Sequence, residues 1–244
     1  MSYYKTIDFS KFSSIKIGPV VDVYMIEECQ YPKGAYLLGG ANNVLIPPAP
    51  PPLMMLSKKY DYIKIEDDLL VIGAATPGGK VVSFCKKHNI ANFEFMAHLP
   101  GTIGGMVKMN AGLKEWEIFN NLHSITVDCE RVSKEEIDYG YRYCNISGVV
   151  FEARFHISRG FKSTQLELFK KMRSNQSSEF SAGSCFKNPK DDYAGRLIEV
   201  VGLKEKRLGD MAFSDKHANF LVNFADGSYR DAVTLIEEAE RLVF

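Results

Sequence analysis

The chain has 244 residues, of which 30 are lysine or arginine and 30 are aspartate or glutamate, so its formal net charge is zero. This length allows a sizeable core and two or three subdomains, whereas a neutral chain offers no net field to a nucleic acid or an anionic membrane. Neither partner is therefore expected. No stretch approaches the roughly 20 apolar residues of a membrane span, and the N-terminus lacks an apolar signal core, so we predict a soluble cytoplasmic protein.

The number and spacing of the cysteines indicate whether disulfides or a metal site are to be expected. They are Cys29, Cys85, Cys129, Cys144 and Cys185, odd in number, widely spaced and without C-x-x-C spacing. This pattern argues against a disulfide framework and against a zinc site. We predict that most of the cysteines are reduced core residues, and we predict no metal site.

The first part of the chain predicts strands, turns and a stiff connector. Apolar residues alternate imperfectly over 14–24 around Gly18-Pro19, which indicates a strand, a turn and a strand, and another strand is predicted at 35–38. The prolines of 47–52 cannot donate to a β-ladder. They fit an SH3-type ligand or a connector, and inside a compact enzyme we favour a connector at a subdomain boundary.

Periodicity and capping signals define the elements beyond the prolines. In the middle of the chain these are a hairpin over 62–72, a helix that Thr76 caps before Pro77, a strand over 124–129 and a half-buried strand with one mostly polar face over 149–157. The last third predicts a helix over 166–172, a polar loop over 181–189, a helix over 194–201 capped by Asp191 and Asp192, a strand over 218–224 and a helix opened by a capping box at Ser228.

Two glycine-rich stretches carry the main functional signal. Leu99–Gly105 has three glycines behind a proline, and Leu37–Ile46 places Gly39-Gly40 and two asparagines between apolar runs. Glycine permits positive φ and leaves no Cβ between the backbone and a ligand, which suits phosphate oxygens or a flat ring. One such stretch is more often a plain turn, but two of the same kind favour a binding site.

A third signal is an arginine between tyrosines, in Tyr141-Arg142-Tyr143. The pattern fits equally an exposed arginine packed on aromatic faces and a fixed cation aimed at a carboxylate or phosphate. The chain has no Walker lysine, no H-E-x-x-H, no G-x-S-x-G and no Rossmann fingerprint. Nucleotide hydrolysis, zinc proteolysis and α/β-hydrolase chemistry therefore lose their usual signatures.

Seven motifs keep one order along most of the chain. They are Leu38-Gly39-Gly40 with Asn43, Pro100 to Gly105, Met109 to Gly112, Tyr141-Arg142, Ser181 to Pro189, Ala194 to Glu199 with Gly202-Leu203-Lys204, and Ser214 to Phe220. Each motif alone is weak. The ordered set resembles the family of UDP-N-acetylenolpyruvoylglucosamine reductases of peptidoglycan synthesis, in its shorter form.

The resemblance implies an α+β fold. Two FAD-binding subdomains of the vanillyl-alcohol-oxidase (PCMH) type would cover residues 1–56 and 57–160, and an α+β substrate-binding subdomain would cover 161–244. It also implies FAD-dependent, NADPH-driven reduction of UDP-N-acetylglucosamine enolpyruvate to UDP-N-acetylmuramate. FAD would be bound non-covalently, NADPH and the UDP-sugar would use one pocket in turn, and the protein would be a monomer.

The resemblance assigns roles to individual residues. Arg142 matches the family's active-site arginine, which would hold the substrate carboxylate, and Ser184 matches its proton donor. Tyr141, Lys187 and Asn188 would bind the substrate. The positions that match the cofactor motifs are Gly39, Gly40, Ala41, Asn42, Asn43, Pro100, Gly101, Thr102, Ile103, Gly104, Gly105, Asn110, Ala111 and Gly112.

Departures from the family pattern leave two alternatives open. Ala41-Asn42 replaces the usual glycine and serine, and His98 a usual glycine, so FAD contacts there are expected to be rearranged. No glutamate here matches the family's active-site glutamate, which follows the last helix; we expect the native protein to continue past Phe244. The alternatives are a flavin oxidase of the same fold and an inactive FAD- or nucleotide-binding module.

Overall fold

Residues 2–243, the part of the chain that the computed structural model describes, form seventeen strands and six α-helices. The strands are β1 (Tyr3–Asp8), β2 (Val20–Ile26), β3 (Tyr36–Leu38), β4 (Leu53–Leu56), β5 (Ile63–Glu66), β6 (Leu69–Gly73), β7 (Gly112–Leu113), β8 (Trp116–Glu117), β9 (Leu122–Val127), β10 (Glu130–Ser133), β11 (Tyr139–Gly140), β12 (Tyr143–Cys144), β13 (Val150–His156), β14 (Phe180–Ser184), β15 (Arg207–Leu208), β16 (Met211–Phe213) and β17 (Phe220–Asn223). The helices are α1 (Phe9–Phe12), α2 (Gly78–Lys87), α3 (Ile103–Lys108), α4 (Ser163–Met172), α5 (Ala194–Val200) and α6 (Tyr229–Val243). Helices and mainly antiparallel sheets confirm the α+β class.

The chain folds into two units, each made of several segments. Unit 1 holds the described residues up to Lys5, Val23–Gly40 and Pro52–Arg173. Unit 2 holds Thr6–Asp22, Ala41–Pro51 and the described chain from Ser174 onward. The division of the sequence into 1–56, 57–160 and 161–244 stays a prediction.

Unit 1 is organised around a five-stranded antiparallel sheet in the order β10-β9-β13-β6-β5. Its interior strands contribute Leu70, Ile72 and Phe155 to a core in which α2 and α3 also bury their apolar faces. A second sheet has the order β1-β2-β4-β3, with β2 and β3 both parallel to β4. Because β3 ends at Leu38, this sheet brings Gly39-Gly40 to its edge.

Unit 2 contains the antiparallel sheet β14-β17-β16-β15. Its core joins Phe213 and Leu221 of the sheet to Ile198 of α5 and Leu235 of α6. The helical spacing of apolar residues in α5 and α6 is what lets each helix cover the sheet with one face. None of the helices described in residues 2–243 combines the length and the apolar character needed to cross a bilayer.

Several predicted elements are confirmed. The hairpin is β5 and β6, and the helices and strands expected near 124, 166, 194 and 218 are β9, α4, α5 and β17. The predicted capping box of α6 is confirmed in one half: Ser228 Oγ accepts from Asp231 N at 3.1 Å, while the Asp231 carboxylate accepts from the Ser228 hydroxyl, at 2.7 Å, rather than from its backbone N–H.

The prediction of two strands over 14–24 is wrong in its first half. The chain forms β1 and α1 earlier, and Ile15 and Ile17 are buried without belonging to a strand. Lys16, between them, has φ +60°, which interrupts an extended backbone. The alternation arose because a turning segment places both isoleucines in the core of unit 2.

The predicted cap of α2 is also wrong, and the polar face of β13 is more buried than predicted. Thr76 donates its hydroxyl to Tyr62 O at 3.1 Å instead of capping the helix, which begins one residue after Pro77. Within β13, Val150 and Arg154 are buried. Arg154 is accommodated there by two carboxylates, Glu152 at 2.9 Å and Glu66 at 3.2 Å.

The loop predicted over 181–189 is partly a strand. β14 ends at Ser184 and pairs with β17, with a register irregularity between Ser181 and Ser184. The small residues of β14 lack the alternation of apolar and polar residues that marks a strand. Their extended conformation therefore depends on pairing with β17.

Most of the cysteines are free, as predicted, but the argument against a disulfide is wrong for one pair. Cys29 and Cys129 form a disulfide, with Cα atoms 5.9 Å apart and 100 residues between them in sequence. Cys85, Cys144 and Cys185 are free, and the first two are buried. A long sequence separation hides such a pair from spacing rules, which recognise local motifs.

Candidate functional site

The two glycine stretches meet inside unit 1. A Cβ built on Gly39 would lie 3.0 Å from Oγ1 of Thr102 and 3.8 Å from Cα of Gly105. The turn after β3 and the stretch that opens α3 thus lie side by side, and a side chain at Gly39 would press on the Thr102 hydroxyl. This is the kind of cradle in which a flat ring or a phosphate can lie against main chain.

The glycines of the second stretch have different tasks. Gly104 packs on the end of β6, since a Cβ there would lie 3.1 Å from Cβ of Ala74, and its amide donates to Ala74 O at 2.9 Å. Gly101 has φ +129°, a conformation that glycine adopts without strain. Gly105 is exposed and faces Gly39, so we regard it as the glycine most directly available to a ligand.

The first stretch continues into unit 2. Ala41 is buried with φ +51°, and its carbonyl accepts from Ser14 N at 3.1 Å. Asn42 donates from Nδ2 to Ser14 Oγ at 2.7 Å, which anchors its side chain inside the protein. For the main-chain amides of 40–43, residues 2–243 provide no hydrogen-bond acceptor, so these donors remain for water or a ligand.

Arg142 is held beside the predicted cofactor motif of unit 1. It lies in the turn between β11 and β12 with φ +54°. Nη1 donates to Asn110 O at 2.9 Å and Nη2 donates to Gly112 O at 2.7 Å. The structure therefore brings together Arg142, Asn110 and Gly112, which the sequence separates by about thirty residues.

The side chain of Asn110 is engaged inside the protein. It is completely buried, donates to Glu117 Oε2 at 2.8 Å and to Gly140 O at 3.1 Å, and accepts from Phe119 N at 3.4 Å. Any contact of Asn110 with a ligand would therefore have to come from its main chain. Its side chain instead connects the segment after α3 to the hairpin that carries Arg142.

Tyr141 is exposed next to Arg142. The guanidinium carbon lies 5.2 Å from the centre of the Tyr141 ring, which restricts the arginine from a second side. The two sequence interpretations of this arginine therefore both describe part of its environment. It packs on an aromatic ring, and it is also a fixed cation.

Ser184 is exposed at the end of β14 in unit 2. A Cβ on its neighbour Gly183 would lie 3.7 Å from Oδ1 of Asn43, so within unit 2 a residue of the first glycine stretch lies next to the residue that precedes this serine. Cys185 packs against the core of the unit. Burial, with a smaller contribution from Glu240, raises the pKa of the Cys185 thiol to about 12, which keeps it neutral.

Lys187 and Asn188 follow Ser184 but differ in their surroundings. Lys187 is exposed, whereas Asn188 Oδ1 accepts from Ala194 N at 3.1 Å. This contact caps α5, so the predicted caps Asp191 and Asp192 are wrong; Asp192 binds Arg196 and Tyr193 N instead. The amide nitrogen of Asn188 is the part of the side chain left for a ligand.

Sequence reasoning missed Glu117. Its Oε1 lies 3.8 Å from Nη1 of Arg142, and its Oε2 accepts from Asn110. A single glutamate carries no motif, and only the pairing of Gly112 with Glu117 across β7 and β8 brings the carboxylate to this place. Glu117 is recognisable as a neighbour of Arg142 only from the three-dimensional structure, because the two residues are far apart in the sequence.

A family model, curated relatives and a solved structure that are similar to this chain all carry the same protein name. A family model described as UDP-N-acetylenolpyruvoylglucosamine reductase, C-terminal domain, matches residues 175–244. The UDP-N-acetylenolpyruvoylglucosamine reductase of Helicobacter hepaticus is 44% identical over 243 residues, covering 98% of this chain and 92% of that protein. The protein of the same name from Campylobacter jejuni is 43% identical, covering 98% and 94%. The crystal structure of UDP-N-acetylenolpyruvylglucosamine reductase from Thermus caldophilus matches with a TM-score of 0.88 at 25% identity, over 99% of this chain and 96% of that one.

Proposed function

The chain belongs to the family of UDP-N-acetylenolpyruvoylglucosamine reductases, and we propose that it uses FAD and NADPH to reduce UDP-N-acetylglucosamine enolpyruvate to UDP-N-acetylmuramate. It is an oxidoreductase of peptidoglycan synthesis. The observation that carries the proposal is 44% identity over almost the whole chain.

The residues present fit a flavin. Gly39 meets Thr102 and Gly105 in a cradle that a side chain would fill, and the amides of 40–43 have no acceptor among residues 2–243. We assign FAD binding to this backbone, because amide donors suit a diphosphate and glycine suits a close-lying ring. When bound, FAD would take a hydride from NADPH and supply it to the substrate.

Arg142 would bind the carboxylate of the enolpyruvyl group. Two of its five N–H donors go to carbonyls within unit 1, and the side chain is partly exposed, so its remaining edge is open to a ligand. A guanidinium pairs two N–H groups with one carboxylate. Held in place, it stabilises the negative charge that develops beside that carboxylate during reduction more than it stabilises the substrate.

Ser184 would donate the proton to the carbon next to the carboxylate. Its side chain is exposed, whereas the adjacent Cys185 packs into the core, so the serine hydroxyl is the one that a substrate can reach. A carbon with enolate character is basic enough to take a proton from a hydroxyl held at hydrogen-bonding distance. Tyr141, Lys187 and the amide nitrogen of Asn188 would bind the sugar and the diphosphate.

The absorbance spectrum of the purified protein tests the function. We expect a flavin spectrum, either from the protein as isolated or after FAD is added. We also expect NADPH oxidation that depends on the enolpyruvyl substrate. Peroxide formation without that substrate would support an oxidase of the same fold. Failure to bind FAD would contradict both enzymes and leave a binding module.

Replacement of the proposed proton donor tests the mechanism. Ser184→Ala should leave reduction of the bound flavin by NADPH within about twofold, while the subsequent oxidation by the UDP-sugar slows by about 10²–10⁴-fold, as is typical when a general acid is lost. Stopped-flow absorbance separates the two half-reactions. The exposed Ser178, in the same unit, offers a control, because Ser178→Ala should change neither. Equal slowing of both half-reactions in Ser184→Ala would contradict the assigned role.

We also propose that the protein acts as a monomer in the cytoplasm. NADPH and nucleotide sugars are made there, and the proposed reaction needs both. Size-exclusion chromatography with light scattering should give the mass of one chain, about 27.5 kDa.

A further inference from the structure

The conformation of Arg142 needs support from its neighbours. A φ of +54° is uncommon for a residue with a side chain and persists where surrounding contacts determine it. Two carbonyls, Asn110 O and Gly112 O, accept from the guanidinium at 2.9 and 2.7 Å. Within residues 2–243, its salt bridge is to Glu117, at 3.8 Å.

Glu117 is connected to the same arginine by a second route. Its Oε2 accepts from Asn110 Nδ2 at 2.8 Å, and that nitrogen also donates to Gly140 O at 3.1 Å. Gly140 lies in β11, two residues before Arg142. The Glu117 carboxylate thus fixes the side-chain amide of Asn110. Asn110 in turn is connected to Arg142 in two ways: its carbonyl accepts from the guanidinium, and its amide donates to Gly140 in the hairpin that carries the arginine.

Burial makes this route effective. Asn110 is completely buried, so water cannot replace a lost partner of its amide. The backbone of Glu117 is fixed by its pairing with Gly112, which itself accepts from Arg142 Nη2. The direct ion pair contributes less, because 3.8 Å is long and both side chains are about a quarter exposed.

We propose that Glu117 is a positioning residue for Arg142, and that through it the site discriminates in favour of UDP-sugars that carry a carboxylate. The inference rests on the proposed function, because it takes Arg142 as the group that binds that carboxylate. Glu117 acts mainly as the acceptor for Asn110. A glutamine can accept the same hydrogen bond through its amide oxygen, whereas an alanine cannot.

The test compares two ligands without turnover. Isothermal titration calorimetry of the oxidised, flavin-loaded protein measures the affinity for UDP-N-acetylmuramate, which has a carboxylate, and for UDP-N-acetylglucosamine, which has none. Wild type should prefer the first. Glu117→Ala should reduce this preference about tenfold, the order of effect of one misplaced charge-assisted hydrogen bond, with affinity for UDP-N-acetylglucosamine unchanged within about twofold. Glu117→Gln should keep the preference within about threefold of wild type.

Arg142→Ala is the reference variant and should abolish the preference. If wild type binds both nucleotides equally, the role proposed for Arg142 is wrong and the inference is lost with it. If Arg142→Ala loses the preference and Glu117→Ala retains it, the proposed function stands and the inference alone is overturned. If Glu117→Ala binds both ligands more weakly and has a lower melting temperature, Glu117 has a structural role and the inference is overturned. If Glu117→Gln loses as much of the preference as Glu117→Ala, the hydrogen bond to Asn110 is not the cause, and the inference is overturned as well.

Discussion

At the scale of single residues, Gly112 is the position near Arg142 that leaves no room for a side chain. A Cβ there would collide with the carbonyl oxygen of Trp116 and lie 2.8 Å from Cα of Glu117. The close pairing of β7 and β8 therefore depends on a residue without a side chain. The same pairing brings Glu117 to Asn110 and turns Gly112 O towards Arg142.

We predict that Gly112→Ala lowers the free energy of unfolding by about 1–3 kcal/mol, because overpacking of this kind forces the backbone apart. Gly140→Ala is the matched control, since a Cβ there meets nothing within 4 Å and the neighbouring hairpin can accept it. It should stay within about 0.5 kcal/mol of wild type. Urea denaturation followed by tryptophan fluorescence measures both. Equal stabilities of the two variants would show that β7 and β8 can separate without cost.

At the scale of elements, α6 shows that a local signal can be reliable. The Ser228 hydroxyl caps the first turn by accepting from Asp231 N, and the apolar spacing of the helix buries Ala232, Leu235 and Ala239. Both features are local to one segment, so neither needs information from elsewhere in the chain. β14 is the opposite case, since its small residues become a strand only beside β17.

Loss of the cap should destabilise unit 2. Ser228→Ala is expected to lower the free energy of unfolding by about 1 kcal/mol, because an amide of the first turn loses its acceptor. Thr234→Ala provides the control within the same helix. Among residues 2–243 its hydroxyl bonds to Arg230 O alone, and alanine has the higher helix propensity, so stability should be unchanged or slightly increased. Chemical denaturation monitored by circular dichroism compares them. A larger loss for Thr234→Ala than for Ser228→Ala would contradict this account of the helix start.

At the scale of the whole molecule, the disulfide between Cys29 and Cys129 links positions 100 residues apart. Cys29 follows β2 and Cys129 lies in the turn between β9 and β10, so the bond ties the two sheets of unit 1. Tyr31 adds a hydrogen bond to Asp128 at 2.6 Å beside it. Burial and this carboxylate raise the pKa of Tyr31 to about 12, so the phenol stays a donor at neutral pH.

We predict that the unfolded, unreduced protein exposes three reactive thiols to Ellman's reagent and that reduction raises this number to five. In the chain-entropy account, closing a loop of this length stabilises the fold by up to about 4.7 kcal/mol, so reductant should lower the free energy of unfolding. The Cys29→Ser/Cys129→Ser double variant should be insensitive to reductant. Five reactive thiols before reduction would disprove the bond.

The sequence by itself determined the family, the α+β class, most helices and the glycine stretches, because these depend on local conformation or on motifs whose order is preserved. It also supplied Arg142 and Ser184 as candidates. Only the tertiary structure decided that Gly39 lies against Thr102, that Glu117 accepts from the Asn110 amide beside Arg142 and that two cysteines are joined. These contacts join residues far apart in the chain, and their geometry follows from strand pairing and packing, for which a linear pattern has no signal.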